Sequence, residues 1–154
     1  MDGMAEKPNW AEVNPPVIAT FRANHGQVGG PFVASPILLL HTVGARTGQP
    51  RINPLTYLPD GDRFVVFGSD QGAPRHPDWF HNVVAQPAVQ VEVGDEILAA
   101  IATVAEEPER SELFARQVAA LPRFGEYQEK TSRTIPVVIL TPSGPGAGDR
   151  PTGS

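Results

Sequence analysis

Residues 38–57, LLLHTVGARTGQPRINPLTY, predict a strand, a glycine-rich basic turn and a second strand. Apolar runs flank a turn that is bounded by Gly44 and Gly48, and the guanidinium groups of Arg46 and Arg51 lie in it or next to it. Backbone N–H and guanidinium groups in such a turn favour the docking of an anionic group. We therefore interpret the segment as a phosphate-binding turn for a redox cofactor. A plain strand connection with solvated arginines is the alternative.

The composition fits one compact domain that binds no nucleic acid. The chain has 154 residues, of which 40% are hydrophobic and 19% are charged, and its formal net charge is −5. An acidic chain lacks the basic face that general nucleic-acid binding requires, so any positive field at the turn is local. Because cysteine is absent, disulfides, thiolate nucleophiles and cysteine-based metal centres are excluded.

The two ends of the chain differ from its middle. The polar, acidic start and the lack of any apolar run near 18 residues predict a cytoplasmic protein. Residues 1–30 predict a flexible start and a weakly amphipathic helix over 10–24, which packs over a sheet or makes a weak peripheral membrane contact. Residues 143–154 are rich in Gly and Pro and predict a disordered tail. The folded domain is therefore expected over 31–142.

Hydrophobic periodicity predicts about six strands. Val89, Val91 and Val93 alternate with polar residues, as is typical of a half-buried strand. Turn signals at 59–62 and 94–96 join neighbouring strands into hairpins. We predict a mainly β (α+β) fold, a small and mostly antiparallel barrel with peripheral helices. The expected strands are 36–42, 51–58, 63–69, 89–93, 97–105 and 135–140, the helices are 78–86 and 108–121, and 122–130 is a loop or short turn.

A second glycine-containing stretch, GSDQGAPRHPDWFHN at 68–82, supports a cofactor site. Ser69, Trp79 and Asn82 offer hydrogen-bonding and stacking groups that suit a planar heterocycle. Packing in the core is an equal alternative for Trp79.

The histidines and serines indicate neither a metal centre nor a hydrolase. His76 and His81 are five residues apart and do not share a helical face, so we expect no metal site. His41 lies in a predicted strand and is expected to be a core or ladder residue. The serines lack the strand–turn–helix context of a nucleophile elbow, so hydrolysis is not favoured.

Three segments in order resemble the deazaflavin (coenzyme F420)-dependent nitroreductase family: PILLLHTVGARTGQPRINPLTYLPDGDRFVVFGS at 36–69, GAPRHPDWFHNVVAQPAVQVEVG at 72–94 and YQEKTSRTIPVVILTP at 127–142. Members are oxidoreductases with an FMN-binding-like split β-barrel that use reduced coenzyme F420 (F420H2). The resemblance implies this fold, this cofactor and an electron-poor small-molecule acceptor: a quinone, a conjugated enone or coumarin-type lactone, or a nitroaromatic compound. An FMN-dependent split-barrel reductase and a non-catalytic F420 carrier are the alternatives. No oligomeric state is assigned.

The resemblance also implies the site residues. Ser69 would lie closest to the reactive edge of the ring and hydrogen-bond near the reacting centre. Tyr127 would donate a proton or form a wall of the pocket, and Phe124 would border the substrate with it. Contacts to the ring, the phosphate and the acidic side chain of the cofactor would fall on Ala45, Arg46, Thr47, Arg51, Ile52, Asn53, Pro54, Leu55, Phe67, Gly68, Ser69, Asp78, Trp79, Asn82 and Phe124.

Four positions depart from the nitroimidazole-activating member of that family. It has tyrosines at the positions of Leu121, Phe124 and Thr56, and a lysine at the position of Asp70. These differences argue against nitroimidazole activation and leave the implied cofactor site largely intact.

Overall fold

The computed structural model describes residues 18–23 and 36–145. Residues 18–23 form a helical segment, α1. A short 3-10 turn, Asp70–Gly72, lies between the third strand and the second helix. The remaining elements are, in chain order, β1 (Ile37–Val43), β2 (Pro50–Asp60), β3 (Arg63–Phe67), α2 (Asp78–Ala85), β4 (Ala88–Val93), β5 (Glu96–Val104), α3 (Glu109–Ala120), α4 (Arg123–Glu129) and β6 (Val137–Pro145).

The six strands close into one antiparallel barrel in the order β1-β2-β3-β6-β5-β4. In the turn between β1 and β2, the Gly44 N–H donates to the Gln49 carbonyl at 2.8 Å. Gly48 in this turn has a φ of 72°, which residues with a side chain rarely adopt. The glycines therefore close the turn that joins the two strands, and the predicted barrel with peripheral helices is confirmed.

β1 is buried on both faces, which accounts for its continuous apolar sequence. Successive side chains of a strand point to opposite sides. Leu38 and Leu40 belong to the cluster that fills the barrel, whereas Ile37 and Leu39 pack outside it. β1 is thereby anchored in the core, whereas residues 45–51, which form the turn and the start of β2, are exposed.

α1 is held against the outer face of the barrel by apolar packing and by a buried carboxylate. Phe21 is fully buried. Arg22 Nη2 donates to Glu92 Oε2 at 2.6 Å, and His41 Nε2 lies 2.6 Å from the same oxygen. The Glu92 side chain is only 1% exposed. His41 is thus a polar partner on the outer side of β1.

The structure corrects the prediction for one loop and for the ends of two strands, of which β3 ends at Phe67 rather than at Ser69. The segment 122–130, expected to be a loop or short turn, contains α4, because Phe124 is buried in the cluster beneath α3 and α4. β6 extends to Pro145, three residues past the predicted end of the domain, since Gly144 pairs with Ala99 of β5.

The other predictions for the chain ends lie mostly outside the described residues. Residues 1–17 and 146–154 include the predicted flexible start and most of the predicted tail. Within 18–23 and 36–145, no helix is long and apolar enough to cross a membrane. The weak membrane contact through 10–24 stays a prediction.

Candidate functional site

A cleft opens where β2 and β3 diverge. β2 pairs with β1 from Pro50 to Thr56, but it pairs with β3 only from Tyr57 to Asp60. Within the described part of the chain, residues 53–56 therefore have no strand partner on the β3 side. The cleft next to this free edge has a volume of about 260 Å³ and is closed by α2, α4 and the 3-10 turn.

The free edge of β2 presents backbone groups to the cleft. The Tyr57 N–H donates to the Pro36 carbonyl on the β1 side, at 3.0 Å. Because the polar groups of successive strand residues alternate in direction, those of Pro54 and Thr56 face the opposite side, toward the cleft. Proline has no N–H to leave unpaired there. A proline at this position is thus compatible with an unpaired, ligand-facing edge.

Nine predicted site residues line this cleft together. They come from β2, the end of β3, the segment after it, the start of α2, and α4. The nine are Asn53, Pro54, Leu55, Phe67, Ser69, Asp78, Trp79, Phe124 and Tyr127.

The cleft also contains residues that the sequence did not assign to it. Gln71, Pro77 and Arg123 line it, and so do Thr56 and Asp70, which the sequence singled out only as departures from the family pattern. Arg123 Cζ lies 5.5 Å from the centroid of the Phe124 ring, in cation–π contact. Its position one residue before Phe124 was the signal available in the sequence.

Aromatic rings form much of the cleft wall. Phe67 and Phe124 contact edge to face at 5.8 Å, and Phe124 and Tyr127 at 5.2 Å. Trp79 is 5% exposed and packs in the barrel core in addition to lining the cleft. Core packing and stacking on a ligand are therefore compatible interpretations of this residue. This part of the wall therefore offers aromatic surface, as in sites for planar ligands.

The segment between β3 and α2 has an unusual backbone. The Gly68 N–H donates to the Pro136 carbonyl at 2.9 Å, and a side chain at position 68 would meet Pro136 Cγ at 2.8 Å. Asp70 and Gln71 have φ values of 46° and 58°. Such conformations cost free energy in non-glycine residues and are frequent at functional sites. Ser69, at the start of this segment, is 6% exposed.

The predicted phosphate-binding turn lies outside the cleft lining. Arg46 and Arg51 are exposed, and Arg51 Nη1 donates to the Pro50 carbonyl at 3.1 Å. Ala45 and Thr47 are exposed in the same turn. The turn leads directly into β2, whose residues 53–56 border the cleft, so one elongated ligand would reach both. These contacts stay predictions.

Asn82 fixes the turn to α2 rather than lining the cleft. Its Oδ1 accepts the Ala45 N–H at 2.9 Å, and its Nδ2 donates to Thr42 Oγ1 at 3.1 Å. Ile52 packs against the cluster outside the barrel, and Gly68 lies in contact with Pro136. The predicted ligand contacts of these three residues also stay predictions.

Three comparisons place the chain among known proteins. The family described as F420H(2)-dependent quinone reductase matches residues 16–142. An F420H(2)-dependent quinone reductase of Mycobacterium tuberculosis (strain ATCC 25618 / H37Rv) is 40% identical over 129 residues, which cover 80% of this chain and 85% of that protein. A solved F420-H2 dependent reductase (FDR-A) is 40% identical, with a TM-score of 0.63 over 68% of this chain and 93% of its own. A solved domain-swapped dimer is 33% identical, with a TM-score of 0.65 over 84% and 97%.

Proposed function

The chain belongs to the family of F420H(2)-dependent quinone reductases, and from this premise we propose that it reduces quinones in the cleft between β2 and β3. It is an F420-dependent oxidoreductase, and its cofactor is reduced coenzyme F420. The predicted cofactor and the predicted kind of enzyme are confirmed. The observation that carries the proposal for this cleft is that aromatic rings and polar side chains line it together, next to the free edge of β2.

The residues of the cleft fit a flat ring system. Pro54 and Thr56 present the free edge of β2, and Trp79 and Phe67 supply apolar surface. When bound, the reduced deazaflavin supplies a hydride to the acceptor. These four residues would orient the two rings and exclude water from between them, and such placement contributes several kcal/mol to lowering a barrier.

The basic turn supports binding of the acidic part of the cofactor. Arg46 and Arg51 are exposed at the end of β2 that leads into the cleft. Guanidinium groups form strong, charge-assisted hydrogen bonds with phosphate and carboxylate oxygens. Asn82 would keep the turn in place by holding the Ala45 N–H.

Two side chains of α4 support a quinone as the acceptor. Arg123 and Tyr127 both line the cleft. A quinone that accepts a hydride at oxygen or at carbon gains one negative charge, and a proton completes the hydroquinone. The guanidinium of Arg123 would stabilise that charge as it develops. The Tyr127 hydroxyl would hydrogen-bond the acceptor oxygen, and Ser69 would hydrogen-bond near the reacting centre.

Turnover with a panel of acceptors tests this proposal. F420H2 oxidation would be followed with a naphthoquinone, a coumarin-type lactone and a nitroaromatic compound at matched concentrations. We expect the quinone to give the largest kcat/KM. A larger kcat/KM for either of the other two would contradict the assignment of the acceptor.

Two further outcomes would contradict the wider proposal. Binding of reduced F420 without oxidation by any acceptor would identify a carrier. Tight FMN binding without F420 binding would identify a flavin enzyme.

Arginine variants test the placement of the cofactor. Arg46→Ala and Arg51→Ala should each weaken F420 binding by about 1.5–3 kcal/mol if each loses one charge-assisted contact. Arg116→Ala is the matched control, because it removes the same charge from α3, where the side chain pairs with Asp60. Unchanged F420 affinity in both turn variants would mean that the turn only connects two strands.

A further inference from the structure

The guanidinium group of Arg133 makes four hydrogen-bond contacts with one segment of the chain. It lies between α4 and β6, and its guanidinium donates to the carbonyls of Gly68, Ser69 and Ala73, each at 2.9 Å. The fourth contact, also at 2.9 Å, joins Arg133 Nη1 to His76 Nδ1. All four partners therefore lie within 68–76, the connection between β3 and α2.

Segment 68–76, which Arg133 holds, contains polar residues of the cleft and has a strained backbone. Ser69, Asp70 and Gln71 line the cleft, whereas Arg133 does not. Asp70, Gln71 and Gly72 have consecutive positive φ values of 46°, 58° and 84°. Two local hydrogen bonds, from Gly72 N–H to Ser69 O and from Ala73 N–H to Asp70 O, close the turn. Non-glycine residues keep such φ values only when surrounding contacts hold them there.

The planar guanidinium fits this task for geometric reasons. A guanidinium presents its N–H groups in a fixed fork, which a lysine ammonium cannot reproduce. The imidazole of His76 can accept a hydrogen bond at Nδ1 only in the neutral form. Burial lowers the pKa of His76, and the neighbouring charge of Arg133 lowers it further, so the accepting form is favoured.

We infer that Arg133 is a positioning residue, which holds the strained segment so that Ser69 and Asp70 face the bound rings, and this inference rests on the function proposed above. Arg133 acts through the segment and contacts neither the cofactor nor the acceptor. Without the hydrogen bonds from Arg133, the 70–72 turn would relax, and Ser69 would move relative to the reacting centre. A displacement of about 1 Å at such a centre lowers a rate by up to ~100-fold.

Arg110 provides a matched control. Its guanidinium also holds a backbone carbonyl, that of Ile135, at 2.8 Å, and it is largely buried. Its other partners, Glu107, Gln128 and the ring of Phe114, lie outside the cleft lining. An arginine that only stabilises the fold should therefore behave like Arg110.

The test compares Arg133→Ala, Arg133→Lys and Arg110→Ala with the unmodified protein. Without cofactor, hydrogen exchange at the Gly72 and Ala73 amides should be accelerated in both Arg133 variants and unchanged in Arg110→Ala. With F420H2 and a quinone, kcat per folded molecule should fall by about 10- to 100-fold in Arg133→Ala. Guanidinium at a non-denaturing concentration should restore part of that kcat, and sodium chloride at equal ionic strength should not.

The outcomes separate the inference from the proposed function. The inference would be overturned if the Arg133 variants showed the same hydrogen exchange and the same kcat as Arg110→Ala. If Arg133→Ala does not fold, Arg133→Lys decides by the same two measurements. A wild-type chain that does not oxidise F420H2 would overturn the proposed function, while the exchange data would still decide whether Arg133 holds the segment.

Discussion

Replacing Glu92 with glutamine should remove a large and pH-dependent part of the stability of this fold. Burial alone raises the pKa of Glu92, but the hydrogen bonds and charges of His41 and Arg22 outweigh it and lower the pKa from 4.5 to about 2. Each pKa unit corresponds to ~1.4 kcal/mol, so the ionised carboxylate contributes about 3 kcal/mol to the free energy of unfolding. Glutamine keeps the shape and some hydrogen bonds, so we expect a loss of ~2–3 kcal/mol at pH 7.

The sign of the pH dependence follows from the direction of this shift. The pKa in the folded state lies below the value in the unfolded state, so the contribution is complete above pH 4.5. It is lost as the pH falls from 4.5 toward 2. The free energy of unfolding of the wild type should therefore decline as the pH falls from 4.5 toward 2. The difference in this free energy between the wild type and Glu92→Gln should shrink over the same range.

Urea unfolding at pH 7 and at pH 3 measures both effects. Glu96→Gln is the control, because Glu96 is exposed at the start of β5, and a change there should stay within about 0.5 kcal/mol. A Glu92→Gln variant within 0.5 kcal/mol of the wild type at pH 7, or a loss of equal size at both pH values, would refute the reasoning.

Two other substitutions probe the site. Asn82→Ala leaves the Ala45 N–H without its partner, so we expect a loss of about 1–3 kcal/mol in thermal unfolding and weaker F420 binding; unchanged F420 affinity would mean that the turn needs no support from α2. Tyr127→Phe keeps the ring packing on Phe124 but removes the hydroxyl, so kcat/KM for a quinone should fall about tenfold for a lost hydrogen bond of ~1.4 kcal/mol, while F420 affinity is retained. Equal kcat/KM in both proteins would assign Tyr127 to the cleft wall alone.

The sequence predicts the barrel because its strands have local signatures. Val89, Val91 and Val93 alternate with polar residues, and the turn residues that join β2 to β3 and β4 to β5 are explicit. Gly44 and Gly48 likewise mark the turn that the structure closes by hydrogen bonds. Local periodicity and turn chemistry thus suffice for the strand pairs.

The features that the sequence left open depend on contacts between distant residues. β3 was expected to reach Ser69, but it ends at Phe67, because Gly68 turns to bond Pro136. The cleft results from that divergence, which no local pattern reports. Arg133 holds a segment some 60 residues away, and Glu92 pairs with Arg22 at a separation of 70. Such partners have no fixed spacing in the sequence.

We propose that F420 binds in the cleft beside the free edge of β2. A crystal structure of the chain with F420 tests it most directly. We expect the deazaflavin ring between Pro54 and Trp79, with its reactive edge toward Ser69 and its phosphate near Arg46 and Arg51. A ring bound elsewhere on the barrel, with the cleft empty or filled by other side chains, would contradict the account.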